Sequence, residues 1–379
     1  MLALDDEQEM LVSVLADIAE REFADRAFTW EGEFPWKNVR LLADQGLFGL
    51  NIAEAYGGGG MTELEAILAI ETVGTVCPDT ANALYGQTMV APRAIEMFGT
   101  ETAKEEYLPP VCNGESVIAI AISEPHAGSD VGSMNTRVER TDAGLRITGE
   151  KIWVSWVPDA DAAVVWTRFP DDNLGTVVVD LDADGVEIGE HYTNMAGDTQ
   201  THFFMEDVRI PEENVLVRGR EAFKQQLKAL NWERVGSAAY ANAMSRCALD
   251  HALEYAQERE QFDQRIADFQ GLRWKLADAV KELEAARSLT YRAAIGAQSQ
   301  SRVPDRLTAN VAKLYASETV ERVVSEALQL FGAAGYQREH PLEYLYRLQR
   351  GRRIAAGTDE ITKNTIADVL LDEGLPSIA

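Results

Sequence analysis

The hydrophobic pattern of this chain changes twice, and those changes constrain its fold more than any other feature. The first 115 residues follow a helical period, as in the apolar stripe of Leu11, Val14, Leu15 and Ile18. Short β-branched runs separated by Gly, Asp and Pro then indicate a small β-barrel or sandwich, and the chain afterwards returns to long helices. We therefore predict an α+β protein with three domains, namely a helical domain over 1–115, a β domain over 116–222 and a helical bundle over 223–379.

Local signals place the individual elements. Pro109-Pro110 is expected to close the first region, and Gly332 and Gly335 are expected to end a helix at Phe331. The strands are expected at 117–122, 145–155, 162–169, 175–181 and 202–208. The long helices are expected at 223–258, 267–297, 305–331 and 342–354, followed by a last one after Thr358.

The composition narrows the possible partners. A formal net charge of −27 argues against nucleic acid and anionic membranes, because their phosphates would be repelled. Nine of the 35 basic residues are lysine, which indicates a halophilic source, with an acidic enzyme of a mesophile as the alternative. The N-terminus does not resemble a signal peptide, and no apolar run reaches the roughly 18 residues of a membrane span. We expect a cytoplasmic protein without membrane insertion, a metal site or a disulfide framework.

Residues 121–133 carry the most specific motif, Ala-Ile-Ser-Glu-Pro-His-Ala-Gly-Ser-Asp-Val-Gly-Ser. An apolar strand ends here in a turn where Gly128 and Ser129 offer main-chain donors without bulk, so phosphates or a ring edge can approach the backbone. A strand that merely leads into a loop would show the same local pattern. The segment Lys151–Ser155 adds an aromatic side chain, Trp153, beside a hydroxyl group.

These two segments resemble the flavin-contacting signatures of the acyl-CoA dehydrogenase family. Further resemblances follow in the family's order and extend from about residue 50 to 365, at Glu54–Gly58, Asp207–Pro211, Arg259–Phe262, Phe269–Gln270 and Gln329–Tyr336. The resemblance implies the acyl-CoA dehydrogenase fold, with an N-terminal α-helical domain, a middle β-barrel domain and a C-terminal four-helix bundle. It also implies FAD as cofactor and a homotetramer or dimer, because the segment with Arg259 and Gln270 resembles one that reaches a neighbouring subunit's flavin.

The resemblance assigns flavin contacts residue by residue. Ser123 and Ser155 would donate hydrogen bonds near the reacting ring edge, and Trp153 would pack on a ring face, although a half-buried strand tryptophan is the plain alternative. Arg259 and the Ser129 loop would contact the pyrophosphate. The complete implied set is Ile120, Ile122, Ser123, Gly128, Ser129, Trp153, Ser155, Arg259, Gln261, Phe262, Phe269, Gln270, Gln329, Leu330, Gly332, Ala333, Gly357, Thr358 and Glu360.

The implied reaction is α,β-dehydrogenation of an acyl thioester to the trans-2-enoyl thioester, in which a carboxylate removes the α-proton and a hydride passes to flavin N5. Many members carry that carboxylate directly before Gly-Thr, where this chain has Ala356, which can offer only its backbone N–H to the thioester carbonyl. The isovaleryl-CoA and long-chain branch instead places the base before an arginine on an earlier helix, which corresponds to Glu233. A structural pair with Arg234 or with a neighbouring helix is the alternative for Glu233, and Glu360 is a rival acid.

The implied substrate-binding residues are Ser129, Asn231, Arg234 and Tyr240. The loop 193–201 departs from the family, because the usual arginine is absent and Asp198 places negative charge near the expected CoA arm. Asn231 and Leu348 stand where aspartates are usual, and Asp263 stands where a glycine is common. The substrate is therefore expected to be an acyl-CoA or an acyl group on a carrier protein.

The family resemblance also implies an electron-transferring flavoprotein as electron acceptor and a role in fatty acid or branched-chain amino acid catabolism. A flavin oxidase or monooxygenase on the same fold is one alternative, and Glu233 favours the dehydrogenase because oxygenation of this type needs no α-proton removal. A non-enzymatic interaction subunit is the other alternative, which Ala356 suggests.

Overall fold

The computed structural model describes residues 4–142, 144–299 and 302–376. The contacts divide the chain into two compact units. The helical unit comprises the described residues of Met1–Trp30, Glu63–Asn82 and Asn231–Ala379, and the sheet unit comprises those of Glu31–Thr62 and Ala83–Leu230. The division into three consecutive domains at residues 115 and 222 stays a prediction.

Helices occupy both ends of the chain, as the periodicity predicts. They are α1 (Asp6–Ile18), α2 (Trp36–Asp44), α3 (Glu63–Gly74), α4 (Pro78–Met89), α5 (Ala91–Phe98), α6 (Glu101–Cys112), α7 (Ala222–Glu258), α8 (Gln270–Ser299), α9 (Arg306–Phe331), α10 (Pro341–Gln349) and α11 (Asp359–Glu373). The predicted stop after Phe331 is confirmed, because Gly332 follows it with φ of 60°. No described helix is long and apolar enough to cross a membrane.

Two expectations about the first region are wrong. Leu11, Leu15 and Ile18 are buried on α1, but Val14 at the edge of their stripe is 43% exposed. The Pro109-Pro110 pair does not end α6, which continues to Cys112. The carbonyls of the two prolines accept the N–H groups of Asn113 and Glu115, so the helix ends one turn after the prolines.

The middle of the chain folds into strands. They are β1 (Ile118–Ala121), β2 (Arg137–Thr141), β3 (Gly144–Ser155), β4 (Ala162–Arg168), β5 (Leu174–Asp180), β6 (Val186–Thr193), β7 (Thr199–Ile210) and β8 (Val215–Val217). They form one sheet in the order β6–β7–β3–β2–β4–β5–β8, and β1 pairs with β4 in parallel. The predicted α+β class is confirmed.

The sheet unit has a core of aliphatic and aromatic side chains from most of these strands. Ile147, Val165, Val177 and Phe203 are fully buried in it, and each such side chain stabilises the fold by about 1.5–3 kcal/mol. Strands β2, β6 and β8 were not expected from the sequence. The exposed and half-exposed residues of β6 show no apolar alternation, because this strand ends the sheet and packs little of its surface on the core.

Candidate active site

A bulge in β3 turns Trp153 out of the sheet core. The register between β3 and β7 shifts between Lys151 and Val154, and Trp153 takes a positive φ of 62°. Bulges re-aim side chains in this way, often beside functional sites. Trp153 is 51% exposed as a result, while its neighbours Ile152 and Val154 are buried. The centre of the Tyr192 ring lies 4.9 Å from that of the indole, and the exposed part of the indole is available for packing on a flavin ring.

The turn after β1 lies beside this bulge. The N–H of Ile152 donates to the Ser123 carbonyl at 3.0 Å, which links the turn to β3. The half-buried Ser123 and Ser155 make no side-chain hydrogen bond within the described part of the chain. Ile120 and Ile122, at the end of β1, are half-buried in the same segment.

The Gly-Ser turn offers further donors. Gly128 and Ser129 are exposed, and their N–H groups donate to no group among residues 4–142, 144–299 and 302–376. A Cβ on Gly128 would meet nothing within 4 Å, so a ligand can approach this backbone closely. Free N–H groups, two free hydroxyls and an exposed indole are the donor set that the pyrophosphate and ring of FAD require.

A buried ion pair holds this turn in place. Lys151 Nζ donates to Glu124 Oε1 at 2.8 Å and to the Ile122 carbonyl at 2.9 Å, and both side chains are buried. Glu124 also accepts the N–H groups of Asn135 and Thr136 at 2.6 and 3.0 Å. Burial lowers the pKa of Lys151 to about 8, against the opposing effect of Glu124. Burial opposes ionisation of Glu124, but its hydrogen bonds outweigh that cost and lower its pKa.

In the helical unit, α7 carries Glu233 among small or apolar residues. Oε2 of Glu233 is buried and has no hydrogen-bond partner in the described residues. Burial raises the pKa of Glu233, and the charges of Arg234, Arg352 and Lys313 oppose that rise only in part. A carboxylate of this kind takes a proton more readily than a solvated one.

Ala356 lies in a strained turn next to Arg234. Ala356 and Gly357 both have left-handed backbones, with φ of 58° and 88°, and Ala356 is almost fully buried. Arg234 Nε donates to the Ala356 carbonyl at 3.4 Å. The Ala356 N–H donates to no acceptor within the described ranges. It remains available to a ligand carbonyl.

Glu360, the rival acid, has the opposite properties. It is exposed, and hydrogen bonds from its own backbone and from Thr358 lower its pKa. Thr358 itself caps α11 by accepting the N–H of Ile361 at 3.3 Å. An exposed carboxylate with a lowered pKa is a weaker base than Glu233.

Two residues predicted to bind substrate are engaged within the helical unit. The Asn231 oxygen accepts a hydrogen bond from Arg234 at 3.1 Å, and its amide donates to the Pro304 carbonyl at 3.0 Å. Tyr240 is fully buried with the Arg352 guanidinium 5.1 Å from its ring centre. Asn231 therefore fixes Arg234, and the substrate roles of Asn231, Arg234 and Tyr240 stay predictions.

A short hairpin, β9 (Glu260–Gln261) and β10 (Gln264–Arg265), carries residues predicted to bridge subunits. Its turn residues Phe262 and Asp263 both have positive φ, 54° and 59°, as in a type I′ turn. This conformation explains why a glycine is common at position 263. Phe262 is 88% exposed and meets Phe269 edge-on. The exposed cofactor candidates of this region and of the end of α9 are Arg259, Gln261, Gln270, Gln329, Gly332 and Ala333, beside half-buried Leu330, and their roles stay predictions.

The loop between β6 and β7 explains the unexpected Asp198. The Asn194 side chain accepts the N–H groups of Ala196 and Asp198 at 2.8 and 3.1 Å and donates to the Asp198 carboxylate at 3.2 Å. Gly197 completes the turn with φ of 101°. Asp198 therefore closes a turn, so its charge has a structural use that the sequence comparison did not suggest.

Sequence reasoning missed four buried charged residues beside these sites, Glu124, Lys151, Lys313 and Asp359. A signal was present for Lys313, which interrupts a run of small residues on the buried face of α9. Lysine is rarely fully buried unless it is paired. Its partner Asp359 lies 46 residues away, so no local pattern could identify the pair.

Three sequence models of the acyl-CoA dehydrogenase family match this chain. The N-terminal domain matches residues 5–115, the middle domain 119–208 and the C-terminal domain 221–371. A subunit of a caffeyl-CoA reductase–Etf complex from Acetobacterium woodii is 33% identical over 96% of this chain and 98% of its own. A short-chain-specific acyl-CoA dehydrogenase from Clostridium acetobutylicum is 32% identical over 95% and 97%.

The fold agrees with these matches. The structure of butyryl-CoA dehydrogenase from Megasphaera elsdenii superposes with a TM-score of 0.91 and 30% identity, covering 98% of this chain and all of that one. The chain therefore belongs to the acyl-CoA dehydrogenase family and is an FAD-dependent oxidoreductase that acts on acyl-CoA.

Proposed function

We propose that this protein catalyses α,β-dehydrogenation of an acyl-CoA with Glu233 as the base. The observation that carries the proposal is the Glu233 carboxylate, whose Oε2 is buried without a hydrogen bond from any described residue and whose pKa is raised by burial. Ala356, at the position of the family's other base, has no group that can take a proton. This arrangement favours the isovaleryl-CoA and long-chain branch of the family.

The α-proton is acidic enough only if the thioester carbonyl is polarised. The Ala356 N–H is a donor that the helical unit offers, because it donates to no acceptor among residues 4–142, 144–299 and 302–376. Arg234 holds the adjoining carbonyl and also moderates the pKa of Glu233. Glu233 then removes the α-proton, and one oxygen of its carboxylate, Oε2, is buried.

In this proposal the turn after β1 and the bulge in β3 of the sheet unit offer contacts to the ring and phosphates of the cofactor. Trp153 would pack on the flavin ring, Ser123 and Ser155 would donate to its reacting edge, and the Gly128–Ser129 backbone would bind phosphate oxygens. FAD supplies the acceptor for the β-hydride, which no protein side chain can provide. The remaining implied contacts, from Arg259 to Glu360, would complete its binding.

The same residues support the reverse reaction, reduction of an enoyl thioester. Two relatives are named as reductases, the caffeyl-CoA reductase complex subunit and a 3-(aryl)acrylate reductase of Clostridium sporogenes that is 30% identical to this chain. A carboxyl group with a raised pKa can return a proton to the α-carbon as readily as it removes one. Anaerobic equilibration of the flavin with saturated and 2-enoyl thioesters measures the preferred direction.

We further propose an electron-transferring flavoprotein as redox partner and a homotetramer as the assembly. The name of the Acetobacterium woodii relative places it in a complex with such a flavoprotein. The 88% exposed Phe262 on the hairpin is suited to contact with another subunit. Light scattering tests the assembly, and a monomer would contradict it. The excess of carboxylates favours a salt-adapted, cytoplasmic enzyme, for which activity would rise with molar salt.

The substitution Glu233→Gln tests the central proposal. It keeps the shape of the side chain, so the purified protein should retain its flavin spectrum. Anaerobic flavin reduction by acyl-CoA should slow by about 100- to 10,000-fold, because proton abstraction is lost. Glu254→Gln, which changes an exposed carboxylate on the same helix, serves as the matched control. A near-normal rate for Glu233→Gln would show that the base is elsewhere.

Oxygen uptake separates the remaining alternatives. A dehydrogenase reduces an artificial dye much faster than oxygen, whereas an oxidase or monooxygenase consumes oxygen in proportion to substrate. A protein that bound no flavin would favour an interaction subunit. The rate of flavin reduction by an acyl-CoA, compared with the rate for the same acyl group on a carrier protein, shows which of the two thioesters is the substrate.

A further inference from the structure

We propose that Lys313 is a positioning residue that holds the Ala356–Gly357 turn, so that the Ala356 N–H points at the thioester carbonyl. The inference rests on the proposed function. Lys313 is 1% exposed in the middle of α9, among the buried residues Ala309 and Ala316. Its Nζ donates to the Gly357 carbonyl at 2.8 Å and to Asp359 Oδ1 at 3.1 Å.

Packing alone does not explain a lysine at this position. An apolar side chain such as methionine would fill similar space without removing an ammonium group from water. Within the described residues, the ammonium group donates hydrogen bonds to two groups, the Gly357 carbonyl and the Asp359 carboxylate, and both belong to the turn or to the start of the helix after it. Lys313 is therefore directed at the turn and not at the core of the helices.

The turn needs such support because both of its residues are left-handed. Ala356 carries a Cβ that disfavours its φ of 58°, so a released turn would relax to negative φ. That rotation would redirect the Ala356 N–H. Arg234 holds the peptide plane after Ala356 through its carbonyl, and Lys313 holds the next plane through the Gly357 carbonyl. Arg234 and Lys313 thus fix two successive peptide planes next to the Ala356 N–H, which donates to no described residue.

Asp359 keeps Lys313 in place. It is buried at the start of α11, where Ser317 Oγ donates to Oδ1 at 2.9 Å and Arg353 Nε donates to Oδ2 at 2.6 Å. Burial opposes its ionisation, but these partners outweigh burial and lower the pKa of Asp359. The carboxylate therefore stays charged and fixes the ammonium between itself and the turn.

Lys313 also acts on the base through space. Its charge is one of three that lower the pKa of Glu233. A substitution that removes the Lys313 charge but leaves the protein folded should therefore raise the pKa of Glu233. A residue with a purely structural role in α9 would leave the pH dependence of the reaction unchanged.

The test compares Lys313→Met and Lys313→Arg with a control, Lys363→Met, which alters a half-exposed lysine on α11. Lys313→Met should retain flavin, lower kcat by about 100- to 1,000-fold with a smaller change in KM, and move the acid limb of the pH profile upward. Lys313→Arg should recover most of kcat, and Lys363→Met should match the parent. An unchanged kcat and pH profile in Lys313→Met would overturn the proposal.

A second measurement separates this proposal from the assignment of the base. In Glu233→Gln, bound acyl-CoA does not react, so the stretching frequency of its thioester carbonyl can be recorded by difference infrared spectroscopy. Adding Lys313→Met should shift that frequency back toward the value of free acyl-CoA. The same frequency in both proteins would refute a role in polarising the carbonyl, whatever the fate of Glu233. If Lys313→Met does not fold, Asp359→Asn can be added to Glu233→Gln instead. A shift of the carbonyl frequency toward that of free acyl-CoA would again support the proposal, and an unchanged frequency would again refute it.

Discussion

Two buried lysines, one in each unit, hold the two site turns in similar ways. Lys151 in the sheet unit and Lys313 in the helical unit each donate to one buried carboxylate and to one backbone carbonyl of a turn. Their partners differ. Glu124 accepts two backbone N–H groups besides Lys151, whereas Asp359 is shared with a second cation, Arg353.

This difference predicts how each site tolerates loss of its lysine. Without Lys151, Glu124 keeps the N–H groups of Asn135 and Thr136 and the exposed His126 ring, whose Nε2 lies 3.6 Å from Oε2, but it loses its buried cation. Without Lys313, Asp359 still has the Arg353 guanidinium at 2.6 Å. The sheet pair is therefore expected to matter more for stability, and the helical pair more for catalysis.

The largest expected effect is on the stability of the sheet unit. Lys151→Met should lower the free energy of unfolding by about 3–5 kcal/mol, because Glu124 would remain buried without its cationic partner. Urea denaturation at neutral pH measures the change, with Lys313→Met as the comparison, which should lose less. The double variant Lys151→Met/Glu124→Gln should recover part of the loss. Equal losses in the single and double variants would show that the charge of Glu124 is not responsible.

The second largest effect is expected in the pH dependence of the free energy of unfolding, to which Lys151 contributes. The pKa of Lys151 is lowered to about 8, so between pH 8 and 10.5 the unfolded chain binds more protons at this residue than the folded chain. The contribution of Lys151 to stability therefore rises with pH across that window, on the order of 3 kcal/mol. Urea denaturation of the parent and of Lys151→Met at pH 7.5 and at pH 10 measures this contribution of Lys151 to the free energy of unfolding. A difference between the two proteins that does not change with pH would contradict it.

The smallest effect concerns strain in the turn that Lys313 holds. Ala356→Gly should stabilise the folded state by about 0.5 kcal/mol, because relief of a left-handed alanine slightly exceeds the entropy that glycine adds to the unfolded chain. The turn should nevertheless hold its N–H less firmly, so kcat should fall several-fold. Thermal unfolding and steady-state kinetics measure the two quantities. An increase in both the thermal stability and kcat would mean that the left-handed alanine does not contribute to catalysis.

Local signals predicted the long helices well but the sheet only in part. The end of α9 at Phe331 follows from Gly332, and the stretches for α7, α8 and α11 follow from periodicity without proline. Strand β6 was missed because the polar residues of an end strand show no alternation. The helix through Pro109-Pro110 was missed because the prolines stand near a helix end, where their carbonyls still accept bonds.

The sequence by itself determined the family and the cofactor and favoured Glu233 over Ala356 as the proposed base, because each depends on which residue types stand at motif positions. Only the tertiary structure decided what surrounds them. The unpaired Oε2 of Glu233, the outward turn of Trp153 and the pair of Lys313 with Asp359 depend on residues far apart in the chain. Burial, strain and charge compensation are properties of a packed environment, and that environment exists only once distant segments meet.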